Sequence, residues 1–263
     1  MCYTLNIKGH LMTLERPVVM GILNVTPDSF YADSRLQTEQ AMVRRVHEIL
    51  EQGGAIVDVG GCSTRPGGAP ASQQEEMDRL RTALAVVRRE KPDAVVSVDT
   101  FRADVARMAV EECGADIVND VSEGADGAMF RMVARLGVPY VLTSVQPTMR
   151  DTLLTFARKT QMLRDLGQKD IVLDPGFGFG KTLQENYDIM ASMEQLCAMQ
   201  LPLLVGVSRK SMIYRLLETK PEEALNGTTV LNTVALLKGA SILRVHDVRE
   251  AVECVRIVDL LKK

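Results

Sequence analysis

Three polar residues stand at equivalent points of the sequence, each directly after a short apolar run. Asp99 follows Ala94–Val98, Asn119 follows Ile117–Val118 and Asp174 follows Ile171–Leu173. Two carboxylates and an amide brought together could accept several N–H donors from a flat, polar heterocycle. Carboxylates in a low-dielectric pocket accept such bonds strongly. One such Asp alone could simply cap the next helix, with Thr100 an equal candidate beside Asp99. Recurrence at three strand ends favours a shared site.

A second group is basic. Gly206-Val207-Ser208-Arg209-Lys210-Ser211 leads from an apolar run into a helical stretch, with Ser208 the expected N-cap. A helix start there would present free backbone N–H groups to an anion, and Arg209 and Lys210 add positive charge. Arg244-Val245-His246 ends the last apolar run and supplies another Arg and one of three histidines. Together these predict an anion site.

Two further segments have loop character. Asp174-Pro175-Gly176-Phe177-Gly178-Phe179-Gly180-Lys181 has three alternate glycines and two phenylalanines that could stack on a ring. Its spacing is not that of a dinucleotide-binding glycine loop. Asn24-Val25-Thr26-Pro27-Asp28-Ser29-Phe30 and Ser63-Thr64-Arg65-Pro66-Gly67-Gly68 are Pro-bearing turns carrying hydroxyls and one Arg. If they face a diphosphate, Asn24 could hold Mg²⁺, a hard cation suited to oxygen ligands, and Arg65 could clamp an oxyanion. No His or Cys cluster competes as a transition-metal site.

The elements that must carry these residues repeat eight times. The apolar runs are Val18–Leu23, Ala55–Val59, Ala94–Val98, Ile117–Val118, Pro139–Leu142, Ile171–Leu173, Leu203–Val207 and Ile242–Val245. They stop at Asn24, Gly60, Asp99, Asn119, Thr143, Asp174, Ser208 and His246. Continuous apolar strands are those of a parallel sheet covered on both faces. Between them lie helical stretches with three- and four-residue apolar spacing: Gln37–Gln52, Gln73–Glu90, Arg102–Cys113, Asp126–Leu136, Arg150–Leu166, Leu183–Met199, Arg209–Glu218 with Thr228–Lys238, and Val248–Leu261. Eight strand–helix units predict an α/β fold, a single (β/α)8 barrel whose active site lies at the C-terminal strand ends. At 263 residues the chain suits one such domain, residues 1–263. Three connections on that face are long, Val25–Leu36, Gly60–Gln73 and Gly176–Leu183, which suits lids or binding loops.

Composition narrows the rest. The chain is 46% hydrophobic and 25% charged with a net charge of −3, so no global basic balance draws nucleic acid or an anionic membrane. No apolar stretch is long enough to span a bilayer, and no secretory leader is evident. Five scattered cysteines without paired spacing read as free thiols in a reducing cytoplasm, where the Asn24 and Asn226 sequons carry no glycan.

Taken in order, Met20–Phe30, Ser63-Thr64-Arg65-Pro66-Gly67, Val98-Asp99-Thr100, Asn119-Asp120, Asp174–Lys181, Ser208-Arg209-Lys210-Ser211 and Arg244-Val245-His246-Asp247 resemble bacterial dihydropteroate synthases. The resemblance runs from the first strand to the last. It implies condensation of para-aminobenzoate with hydroxymethyl-dihydropterin pyrophosphate, releasing pyrophosphate, in folate biosynthesis. It places Asp99, Asn119, Asp174 and Lys210 on the pterin, and Asn24, Arg65, Arg244 and His246 on the diphosphate with Mg²⁺ at Asn24. Thr64, Pro66, Phe179 and Ser211 would form the aminobenzoate pocket, and Asp99, Asp174, Lys210 and Arg65 would carry the catalysis. A homodimer belongs to the same implication, as does a sulfonamide target, since such drugs resemble para-aminobenzoate in the pocket near Pro66, Phe179 and Ser211. Two departures stand out: Thr143-Ser144-Val145-Gln146 replaces the usual Met-His-Met segment, and Cys62 stands where Glu is common. The loss of Met-His-Met keeps open a non-catalytic pterin-binding relative. A pterin-dependent methyltransferase shares the barrel, but the Ser-Arg-Lys-Ser and Arg-Val-His segments argue against it, since its substrate brings no diphosphate.

Overall fold

The computed structural model describes residues 2–25, 35–62 and 71–261. β-branched runs such as Ile56-Val57-Asp58-Val59 and Val95-Val96-Ser97-Val98 form strands, as their stiff side chains favour. Eight strands carry the fold: β3 (Val18–Asn24), β4 (Ile56–Gly60), β5 (Val95–Asp99), β6 (Ile117–Asp120), β7 (Tyr140–Thr143), β8 (Ile171–Asp174), β9 (Leu204–Val205) and β10 (Ile242–Val245). All pair in parallel in the order β8-β7-β6-β5-β4-β3-β10-β9. A bridge between Leu173 and Leu203, with the Leu173 N–H donating to the Pro202 carbonyl at 2.9 Å, joins β8 to the chain entering β9 and closes the ring.

Around it run α1 (Arg35–Glu51), α2 (Gln73–Glu90), α3 (Ala103–Glu111), α4 (Met129–Leu136), α5 (Met149–Asp165), α6 (Leu183–Ala191), α7 (Ser211–Tyr214), α8 (Leu225–Leu237) and α9 (Val248–Leu261). Local chemistry sets several starts. Ser72 with Glu75 and Thr182 with Glu185 form capping boxes on α2 and α6, and Thr148 caps α5. Asp99 and Thr100 do not cap α3. Its first N–H, on Ala103, instead donates to Asp126 Oδ2 at 2.8 Å.

The strands alternate between two cores. Val57, Val59, Val96, Val98, Val118, Leu142, Leu173, Val205 and Leu243 face the helices, while Met20, Ile56, Ile117, Val141, Val172, Leu204 and Ile242 meet inside the ring. This inner layer is the barrel floor. Beneath it lies a feature absent from the sequence reading, an antiparallel hairpin of β1 (Tyr3–Ile7) and β2 (His10–Leu14) turning at Lys8-Gly9. Leu5 and Leu14 press into the inner layer and cover its N-terminal end. Lys8 pairs with Asp116 at 2.7 Å, and Arg88 reaches the other Asp116 oxygen at 2.7 Å, which ties the hairpin to β6 and α2.

Candidate functional site

Side chains on a strand point to the same face every second residue. Counting two residues on from the floor therefore names the next inner layer. Ile56 leads to Asp58, Ile117 to Asn119, Val141 to Thr143, Val172 to Asp174 and Ile242 to Arg244. Every one of these is polar. Asn24, Gly60 and Asp99 lie level with one another on β3, β4 and β5 by strand register. Asp99, Asn119, Asp174, Asn24 and Arg244 are thus brought to the same end of the barrel, as their place at strand ends predicts.

Asp58 is the residue that sequence reasoning missed. It lies inside an apolar run, not at its end, and its signal is the inward period counted from Ile56. It is completely buried and accepts from Arg244 Nε at 2.7 Å. Arg244 Nη2 donates to Asp99 Oδ2 at 2.6 Å. Asn119 Nδ2 donates toward both Asp58 oxygens at 3.5 and 3.3 Å, and its own Oδ1 is buried without a partner among the described residues.

These surroundings shift the charges. Burial, opposed by Arg244 and reinforced by Asp58, Glu76 and Asp120, raises the Asp99 carboxyl to about 7. Burial also raises Asp174, against the pull of Lys210 and the N–H of Gly176, which donates to Asp174 Oδ1 at 2.8 Å. Lys210 falls to about 8, chiefly through burial, with Asp174 opposing the fall. Carboxylates drawn toward neutrality in a low-dielectric mouth mark a site built for a polar ligand.

The β8 loop holds Lys210 in place. Gly176 (φ 70°) accommodates a sharp turn against β7, where a Cβ would sit 1.9 Å from the Ser144 carbonyl oxygen. Lys181 Nζ then donates to the Ser144 and Gly176 carbonyls, both at 2.9 Å, and to Phe179 O at 3.3 Å. Lys210 Nζ donates to Phe177 O and stands 4.5 Å over the Phe179 ring. Phe177, expected as a stacking residue, is wholly buried in the outer core, so only Phe179 remains at the loop surface.

The anion region departs from expectation in detail. The predicted helix over Arg209–Glu218 shrinks to the four residues of α7, and Ser208 is not its cap. Ser208 Oγ lies 3.1 Å from His246 Nδ1 and accepts from the His246 backbone N–H at 3.1 Å. Arg209, in the left-handed region (φ 54°), forks onto Asp247 at 2.7 and 2.9 Å, so its charge is already matched. Burial, then Arg244, push His246 down to about 4, which makes it a neutral imidazole at physiological pH. Ser211 opens α7 next to Lys210. Thr64, Arg65 and Pro66 lie outside the described residues, as do most of the long loops after β3 and β4.

Asn24 offers one hard oxygen at the end of β3. A Cβ on Gly60 would lie 3.1 Å from Asn24 Oδ1 and 3.8 Å from Asp99 Oδ2, so glycine at 60 leaves this corner open. Among the described residues no group of three acidic, His or Cys side chains could hold a metal by itself. A cation here would need oxygens from a ligand, the habit of Mg²⁺ with phosphates.

The divergent segment after β7 is well anchored. Thr143 Oγ1 lies 3.5 Å from Asp174 Oδ2. Ser144, the Val145 N–H and Gln146 all donate to Glu123, which Lys159 also holds. Cys62 is half-buried and is in no disulfide among the described residues.

An eight-stranded parallel barrel with its charged side chains gathered at the C-terminal mouth defines a (β/α)8 enzyme architecture. Residues 20–246 match the family described as pterin binding enzyme. The dihydropteroate synthase of Escherichia coli K12 is 37% identical over 267 residues, covering 96% of this chain and 94% of that protein. Among solved structures, the Xanthomonas albilineans dihydropteroate synthase with 4-aminobenzoic acid superposes with a TM-score of 0.93 at 33% identity, covering 98% of both chains. The Yersinia pestis enzyme in a sulfonamide drug complex gives 0.89 at 36% identity and 99% coverage of both. This chain belongs to the pterin-binding enzyme family and, within it, to the dihydropteroate synthases.

Proposed function

We propose that the chain joins para-aminobenzoate to hydroxymethyl-dihydropterin pyrophosphate in folate biosynthesis, by departure of pyrophosphate ahead of attack by the amine. The observation that carries this reading is the convergence of Asp99, Asn119 and Asp174 beside Arg244 and Lys210 in one mouth. Asp99 and Asp174 accept N–H donors of the pterin ring, Asn119 accepts another through its unpartnered Oδ1, and Lys210 donates to the ring edge. The C–O bond to pyrophosphate breaks with its electron pair on the leaving oxygen. The electron-deficient methylene that remains is conjugated to the ring, so carboxylates on the ring N–H groups stabilise the developing positive charge. The neutral arylamine forms the C–N bond with its lone pair and then loses a proton to solvent.

Arg244 and His246, with Arg65 from the sequence motif, hold the leaving diphosphate. With Ser208 donating to Nδ1, the neutral His246 carries its proton on Nε2 and donates it to a phosphate oxygen. Asn24, together with the diphosphate, would hold Mg²⁺, which would supply charge neutralisation for the leaving group. The resemblance to the family assigns Thr64, Pro66, Phe179 and Ser211 to the aminobenzoate, a subsite that would also admit sulfonamides. Exposed Val230 and Leu237 on α8, with Ile257 and Leu261 on α9, supply an apolar face for a second copy and so a homodimer. Five cysteines with no disulfide among the described residues suit a reducing cytoplasm. No described helix is long and apolar enough to cross a membrane.

Pyrophosphate release by the purified protein tests the reading, with Mg²⁺, the dihydropterin pyrophosphate and para-aminobenzoate each omitted in turn. Release that needs all three, with dihydropteroate recovered, is expected. A folded protein that binds the pterin but releases nothing would support the non-catalytic alternative.

A further inference from the structure

Asp58 has no place among the expected ligands, yet it touches one residue from each of two subsites. It is entirely enclosed, and its oxygens accept from Arg244 Nε at 2.7 Å and from Asn119 Nδ2 at 3.3 Å. An ionised carboxylate only accepts, so it settles the orientation of the Asn119 amide: the NH₂ must face Asp58. The carbonyl Oδ1 is thereby turned away, buried and without a partner among the described residues. A buried acceptor left unmatched is costly unless a ligand donor completes it. The same carboxylate fixes the guanidinium of Arg244 by its inner nitrogen. Nη2 is then directed to Asp99, and no described residue pairs with Nη1.

We propose that Asp58 is a positioning residue that couples the pterin pocket to the anion pocket. It holds Asn119 and Arg244 from behind, so that one presents an acceptor to the ring and the other presents donors to the phosphates. Asp58 itself contacts neither ligand. Because both anchors are one carboxylate, ordering either ligand-binding side chain lowers the cost of ordering the other, and the two subsites reinforce each other. The assignment rests on the pterin and diphosphate subsites proposed above.

The test uses calorimetry on the full chain with 6-hydroxymethylpterin and inorganic pyrophosphate as separate probes, at fixed Mg²⁺. The near-isosteric Asp58→Asn should weaken each probe roughly tenfold, the effect of removing one partner of a buried charged pair. A double-mutant cycle separates positioning from general damage. Asn119→Ala should cost pterin affinity in the wild-type background and much less on top of Asp58→Asn, whereas Asp174→Asn should add its full factor in both. If Asp58→Asn leaves pyrophosphate affinity unchanged, or if the Asn119→Ala effect is the same in both backgrounds, the assignment is overturned. Should Asp58→Asn fail to fold, the wild type alone decides. Its pterin affinity should rise several-fold with saturating pyrophosphate, and equal affinities would sink the coupling. A wild type that binds neither probe would overturn the functional reading instead, a result distinct from binding both independently.

Discussion

The two ends of this barrel are made from the same strands and filled in opposite ways. At the floor, Met20, Ile56, Ile117, Val141, Val172, Leu204 and Ile242 close against Leu5 and Leu14 of the hairpin. Two residues further along five of these strands, the inward positions turn to Asp58, Asn119, Thr143, Asp174 and Arg244. Apolar burial contributes stability without directional demands. Buried charge costs stability unless partners satisfy it, and the mouth satisfies it only in part: Asp99 and Asp174 are raised, and Asn119 Oδ1 has no described partner. The floor holds the ring together, and the mouth uses that rigidity to keep half-satisfied groups aimed at a ligand.

Changes at the two ends should therefore separate activity from stability. The largest effect falls at the mouth: Asp174→Asn should lower kcat/KM by roughly 10²–10³-fold, the scale of losing one preorganised electrostatic contact. Its thermal melting should stay close to wild type, and near-wild-type turnover would remove Asp174 from the mechanism. Met20→Ala, in the floor, should do the reverse. A fully buried large-to-small change costs about 2–5 kcal/mol in denaturant unfolding, while turnover per folded molecule is kept.

The mouth should also show itself through pH. Asp99 accepts N–H donors most strongly, and balances positive charge, when ionised, so kcat/KM should fall below about 7; Lys210 donates as a cation, so it should fall again above about 8. The groups that set the acid limb are Arg244 on β10, Asp58 on β4, Glu76 on α2 and Asp120 on β6. The linked stability has a definite sign. Folded Asp99 keeps its proton up to about 7, while the unfolded chain releases it near 3.8, so this group's contribution to stability declines as pH rises across that window. A pH–rate profile flat from 6 to 9 would contradict both assignments. The smallest effect belongs to Lys8→Met. It removes a half-exposed partner of Asp116 while Arg88 remains, and should cost no more than about 1 kcal/mol with unchanged kinetics.

Much of the fold is legible in the sequence because parallel strands buried on both faces leave long apolar marks, and all eight lie where those marks predict. The residues at their ends are legible for the same reason. Asp58 is harder to see, because treating Ala55–Val59 as one apolar run hides the alternation between its helix-facing and ring-facing sides. The hairpin escapes because only Leu5 and Leu14 of its ten strand residues are buried, too few to stand out. Arg209–Glu218 has helical composition. Tertiary contacts override it at its start, where the Arg209 N–H donates to Thr228 and its guanidinium to Asp247. The Ser208 cap fails with it, since the serine is engaged by His246.

The hairpin under the floor also bears on how the chain comes to be folded. Leu5 and Leu14 precede every barrel strand in the chain, yet the surface they cover includes Leu204 of β9 and Ile242 of β10. An isolated two-stranded hairpin is at best marginal in water. Until β9 and β10 are made, these leucines lack part of the floor that they cover. Joining the hairpin to β9 and β10 gives the protein contacts of very long sequence separation, the kind that form slowly. The hairpin can seal the floor only once the strands that make the floor are in place.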